Sequence, residues 1–120
     1  IDEAEETIEK DRVIELVKSH PKQFQATLYA ILANKKEGKF NFIQTGDVYD
    51  TYRELCARVG LRPLTQRRIS DIIAEVDMLG IINAKVISKG RLGRTRDISF
   101  VLPTYMEQNI LKILEEDLFS

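Results

Sequence analysis

"IINAKVISKGRLGRTRDISFVL", Ile81–Leu102, is the stretch that decides the fold. Its first part, Ile81–Ser88, is rich in β-branched residues and stops at Lys89–Gly90. Its last part, Asp97–Leu102, alternates, with Ile98, Phe100 and Leu102 to one side and Asp97, Ser99 and Val101 to the other. Such patterns predict strands. The connection between them, Lys89–Arg96, contains Lys89, Arg91, Arg94 and Arg96 together with Gly90 and Gly93. The expected element is a hairpin whose loop exceeds the usual ~2–5 residues, and long loops in compact domains are disproportionately functional. Cations this close repel one another, so they require bulk solvent or an anion.

Upstream of the hairpin the period is helical. Ile69, Ile72, Ile73, Val76 and Leu79 form the most regular apolar stripe in the chain, with Thr65 as the capping residue and Gly80 as the stop. Before it, Val48, Tyr52, Leu55, Cys56 and Val59 predict another helix, beginning near Thr45–Asp47 and ended by Gly60. Further out, Phe24, Leu28, Ile31 and Leu32 predict a helix from Pro21 to about Asn34, followed by a polar loop, "NKKEGK", and a short strand-like run, "FNFIQ". Ala4, Ile8, Val13, Ile14 and Val17 mark a first helix ended at His20–Pro21, because the residue before a proline is biased out of the α region. Pro103 opens a last helix with Met106, Ile110, Ile113 and Leu114 on one side. Two helices joined by a short turn and followed directly by a hairpin make a winged helix-turn-helix. The fold class is therefore α+β, mostly helical, with a two-stranded β-hairpin wing and flanking N- and C-terminal helices.

Length and charge agree with a binding module. At 120 residues the chain is one domain, or one domain with an appended helix, and its hydrophobic content of 43% suffices for a core. The formal net charge of −1 hides acidic ends around a basic middle. Residues 1–20 hold seven acids against three bases and residues 103–120 four against one, whereas residues 61–96 hold eight bases against three acids. That middle is the candidate electrostatic footprint. No apolar run approaches the ~18–20 residues of a membrane span. The chain opens "IDEAEE", with neither an initiator Met nor a signal-peptide pattern, which is expected of a segment from a longer protein. A single cysteine, Cys56, excludes an internal disulfide and is compatible with a cytoplasmic location.

Enzyme chemistry finds little support. "EGKFNF" lacks the spacing and the hydroxyl of a phosphate-binding loop, His20 is the only histidine, and Cys56 lies on an apolar stripe without a second soft ligand. "GRLG", Gly90–Gly93, matches the GXXG loop of KH-type RNA-binding domains, but in that fold the loop joins two helices, not two strands. A DNA-binding reading is more coherent. Thr65, Gln66, Arg67 and Arg68 stand at a helix N-terminus, where free amides favour phosphate, and Arg and Gln can pair bidentately with base edges. Ser70 and Asp71 also fall outside the core stripe. Glycines in the wing permit close backbone approach, and its arginines suit a narrow, electronegative minor groove. The bland alternative for Arg67 and Arg68 is surface pairing with Asp71 at helical spacing.

Thr45–Phe100, with "PLTQRR-S" at the start of the recognition helix, "LGII" leading into the hairpin and "GRxGRT" in the wing, resembles the C-terminal winged-helix domain of archaeal origin-recognition and cell-division-control replication initiators. These are AAA+ proteins. The resemblance implies binding of double-stranded origin DNA, with Thr65, Gln66, Arg67 and Arg68 at the major groove; Ser70 and Asp71, outside the core stripe of the same helix, are further candidates. It places Lys89, Gly90, Arg91, Leu92, Gly93, Arg94, Thr95 and Arg96 at the minor groove; Thr45 and Gly46, at the start of the preceding helix, are candidate phosphate contacts. Leu92 departs from the aromatic expected there in many relatives. Residues 1–20 would be a linker helix from an ATPase lid and residues 21–120 the winged-helix domain. ATP or ADP and Mg would then belong to an ATPase domain outside this chain, which itself needs no cofactor or metal. A nucleoid-associated cytoplasmic location follows, with the parent's own AAA+ domain as a partner and no membrane. Docking to the replicative helicase or to that ATPase domain is the second class of function, because fold does not fix function.

Overall fold

The central helix of the molecule is buried on more than one side. In the computed structural model, which describes residues 12–36, 43–88 and 94–119, α1 (residues 12–19) is followed by α2 (Lys22–Lys36). Phe24, Leu28, Ile31 and Leu32 are buried as their spacing predicts, but so are Gln25, Ala26, Thr27 and Ala30. The small side chains let neighbouring helices approach, and the buried polar ones are satisfied internally. Gln25 Nε2 donates to the Val17 carbonyl (3.1 Å) and to Asp117 Oδ2 (2.9 Å), and Thr27 Oγ1 donates to the Gln23 carbonyl (2.8 Å). At the break between α1 and α2, His20 stacks on Phe24 with ring centroids 4.0 Å apart, while the Pro21 carbonyl accepts from Gln25 N.

Strand β1 (Ile43–Gln44) runs straight into α3 (Thr45–Val59), which buries Val48, Tyr52, Leu55 and Cys56. The N-cap of α3 is Gln44, one residue before the expected capping residues, and Asp47 Oδ2 accepts from the Gln44 amide at 3.2 Å. Gly60 ends α3 at φ +75°, a conformation that costs glycine nothing and L-residues a good deal. Helix α4 (Gln66–Met78) buries Ile69, Ile73 and Val76, each such side chain contributing about 1.5–3 kcal/mol of transfer free energy.

The hairpin follows. β2 (Ile82–Ser88) pairs antiparallel with β3 (Arg94–Phe100), and β1 pairs with the other edge of β3, giving the order β1-β3-β2. The register sets Ala84 and Ile43 on either side of Ile98, so the sheet's inner face continues the core beneath α3 and α4. Asp77 Oδ1 accepts from the Ala84 amide at 3.1 Å, fastening the end of α4 to β2. Helix α5 (Thr104–Leu118) returns across α2, burying Met106, Ile110, Leu114 and Leu118. Its buried Glu107 pairs with Lys35 (Nζ to Oε1, 2.6 Å), whose ammonium also lies 4.6 Å from the Phe100 ring centroid. The architecture is the expected α+β winged helix-turn-helix.

One boundary differs from the sequence expectation. Arg94, Thr95 and Arg96 lie in β3, so only residues 89–93 separate the strands, and that connection is within the ordinary hairpin range. Charge suggested a loop, yet Arg96, Thr95 and Arg94 find register partners in Val86, Ile87 and Ser88, and ladder pairing wins.

Candidate nucleic-acid interface

The turn between α3 and α4 is held by side chains from two helices. Tyr49 Oη donates to the Leu64 carbonyl (2.9 Å), and the Leu64 amide donates to Tyr52 Oη (2.8 Å). Tyr52 Oη in turn donates to Gln23 Oε1, and Gln23 Nε2 donates to the Arg62 carbonyl (2.9 Å). The backbone of the turn is therefore tied to α2 and α3 at Arg62 and Leu64. Burial pushes the Tyr52 phenol up to about 12, so it remains a neutral hydroxyl able to serve both partners. This clamp was not among the expected site residues. Its only sequence signal is a pair of tyrosines at helical spacing on an apolar face, where a buried hydroxyl needs partners.

Fixing Leu64 fixes the start of α4. Thr65 is the N-cap, its Oγ1 accepting from Arg68 N at 3.3 Å, and its carbonyl accepts from Ile69 N at 3.1 Å. Among the described residues no protein acceptor meets the amides of Gln66 and Arg67. Thr65, Gln66, Arg67, Arg68 and Asp71 are all exposed. Neither Arg67 nor Arg68 forms an ion pair among the described residues, so the expected alternative of pairing with Asp71 is not realised. A rigid helix end thus presents free amides, a Gln and unpaired arginines to solvent, an arrangement suited to anions and to hydrogen-bonding base edges.

The remaining expected residues divide. Ser70 is half-buried, and its Oγ accepts from Arg96 Nε at 3.2 Å. Thr45 is 5% exposed and its Oγ1 accepts from the Arg96 amide at 3.2 Å. Its hydroxyl joins α3 to β3, so Thr45, expected at a phosphate, instead lies in an internal joint; Gly46 beside it is half-exposed. Arg94 and Thr95 occupy β3 opposite Ser88 and Ile87. Lys89, Gly90, Arg91, Leu92 and Gly93 lie outside the described residues. Cys56 is a buried free thiol, as its place on the apolar stripe predicts. Among the described residues no cluster of potential metal ligands occurs, and no helix is long and apolar enough to cross a membrane.

Residues 15–107 match the family model of the CDC6 C-terminal winged helix domain. The chain belongs to this family. Over 109 residues it is 52% identical to an ORC1-type DNA replication protein of Pyrococcus furiosus, a match covering 91% of this chain and 26% of that protein. Over 115 residues it is 45% identical to ORC1-type DNA replication protein 1 of Methanosarcina mazei, covering 95% and 27% respectively. The winged-helix domain thus spans about a quarter of the length of the curated relatives it matches. Among solved structures, Aeropyrum pernix Orc1 in complex with DNA superposes with a TM-score of 0.79 at 38% identity, covering 95% of this chain and 28% of that one. Drosophila ORC bound to DNA shares the fold, with a TM-score of 0.66 at 15% identity over 82% of this chain and 25% of that one.

Proposed function

We propose that this domain binds double-stranded DNA at replication origins as part of a replication initiator, with α4 in the major groove and the wing in the minor groove. The observation that carries the reading is the N-terminal end of α4: exposed Gln66, Arg67 and Arg68, without acidic partners among the described residues, beside uncapped amides. Arginines left unpaired at a helix N-terminus lower their mutual repulsion by binding a polyanion. The tyrosine clamp supports base reading, because discrimination between base edges requires side chains held in fixed geometry. Lys89, Arg91 and Arg94 supply the wing's charge, and the relative from Aeropyrum pernix was solved with DNA.

ATP or ADP and Mg would act in an AAA+ domain of the full-length protein, and the whole would work at the nucleoid in the cytoplasm. A protein-facing role attaches to the opposite end of α4, where Met78 is 86% exposed and offers an apolar contact to that ATPase domain or to the replicative helicase. Footprinting of this chain on origin and scrambled duplexes at two salt concentrations tests the main reading. Protection confined to origin sequence, weakening at the higher salt, is expected; equal or absent protection on both duplexes contradicts it.

A further inference from the structure

Among the described side chains of the basic middle, Arg96 is the cation engaged on both its backbone and its side chain. Its amide donates to Thr45 Oγ1 at the start of α3, and its Nε donates to Ser70 Oγ on α4, each at 3.2 Å. Thr45 is buried, so the backbone anchor is fixed within the core. Ser70 lies four residues after Gln66 and three after Arg67, and residues at these spacings share a helix face. One residue of the hairpin therefore joins the first turn of α3 to the face of α4 that carries Gln66 and Arg67. Arg96 also lies two residues along β3 from Arg94, close to the start of the wing.

We propose that Arg96 is a positioning residue for DNA recognition, coupling the orientation of the wing to that of the recognition helix, instead of acting as a phosphate contact. This inference rests on the DNA-binding reading above. The physical basis is the guanidinium's fixed geometry. Its Nε–H direction is set by the planar fork, so a hydrogen bond from that atom fixes the angle between β3 and α4 in a way that a flexible ammonium does not. A charged donor also makes a stronger bond to a hydroxyl than a neutral one does. A wing seated in the minor groove would then set the rotation of α4 in the major groove. Sequence preference would depend on a residue that touches no base.

The test uses Arg96→Lys, which keeps the charge, Ser70→Ala, which removes the acceptor, their double variant, and Ser70→Thr, which keeps the hydroxyl. Affinities for origin and scrambled duplexes are measured across a salt series. Arg96→Lys and Ser70→Ala are each expected to lower the origin-to-scrambled ratio about tenfold, the scale of one hydrogen bond to a charged group. The salt slope should stay at the wild-type value, because no phosphate contact is lost. The double variant should be no worse than either single one, and Ser70→Thr should retain the wild-type ratio. The proposal is overturned if Ser70→Ala and Arg96→Lys leave the ratio unchanged, or if Arg96→Ala flattens the salt slope by about one unit, the signature of a phosphate contact. Amide hydrogen exchange without DNA separates this failure from that of the underlying reading. Ser70→Ala should accelerate exchange at the Arg96 amide several-fold by loosening β3, and unchanged exchange means the joint does not hold β3 in solution. If wild-type chain binds neither duplex, the DNA reading itself falls, and the positioning role with it.

Discussion

Replacing Tyr52 by phenylalanine removes one oxygen atom and disconnects the turn before the recognition helix. The Tyr52 side chain is fully buried, and its hydroxyl accepts from Leu64 N and donates to Gln23 Oε1. Each lost hydrogen bond costs about 0.5–1.5 kcal/mol net, and the stranded Leu64 amide adds a desolvation penalty of about 1–3 kcal/mol if no water replaces the hydroxyl. Since the ring and its packing remain, the expected sum is ~2–6 kcal/mol. For a domain of this size that corresponds to a fall in Tm of roughly 8–24 °C. The same oxygen gives a pH signature. Burial raises the phenol from 10.0 to about 12 in the folded chain. A raised value favours the protonated form in the native state, so this stabilisation is fully present below pH 10 and is lost as pH rises through about 12. The loss amounts to ~3 kcal/mol at the top of that window. Urea unfolding of both proteins, followed by circular dichroism from pH 7 to 11.5, measures both effects. Tyr52→Phe should be less stable at pH 7, and the gap should narrow above pH 10. A variant within 0.5 kcal/mol (about the reach of an ordinary surface substitution) of wild type at pH 7, with an unchanged alkaline profile, refutes the clamp.

Two further outcomes follow from the same structure. Burial raises the Cys56 thiol above its ordinary value, so a thiol reagent at pH 8 should label the native chain only as fast as it opens, and denaturant should bring labelling to completion. Calorimetric titration with ATP and magnesium should give no saturable heat, since the chain carries no phosphate-binding loop; a stoichiometric isotherm would contradict the assignment of nucleotide chemistry to another domain.

Much of the fold was legible because its decisive elements carry local signals. Helix α4 combined a regular apolar stripe with a Thr cap and a terminal glycine, and these features agree in the structure. The wing boundary misled for a physical reason. Glycines and clustered charge describe Arg94–Arg96 as loop, whereas the strand is stabilised by partners in β2, several residues away. Helix α2 looked one-sided because Gln25 and Thr27 are polar, and only the α1 and α5 groups that satisfy Gln25 explain its burial. The cap of α3 is Gln44, and the hydroxyl of Thr45 accepts instead from an amide of the distant β3, a partner that no local pattern announces. In the candidate site, Arg67 and Asp71 were readable as exposed, since the core stripe excludes them, whereas Arg68 stands nearer the edge of that stripe and its exposure comes from the structure. The Tyr49–Tyr52–Gln23 clamp and the Arg96 joint were not readable, because their partners are far apart in sequence and no local pattern joins them.

The most direct test of the account contrasts a helix variant with a wing variant in salt-series binding isotherms on origin and scrambled duplexes. Arg67→Ala should lower the origin-to-scrambled ratio by ~1–3 kcal/mol while changing the salt slope little, as loss of a base-edge pair requires. Arg94→Ala should weaken both duplexes alike and reduce the salt slope by about one unit, as loss of a phosphate contact requires. If neither variant alters DNA affinity while binding to the ATPase domain or the helicase falls, the domain docks protein and the DNA account is wrong.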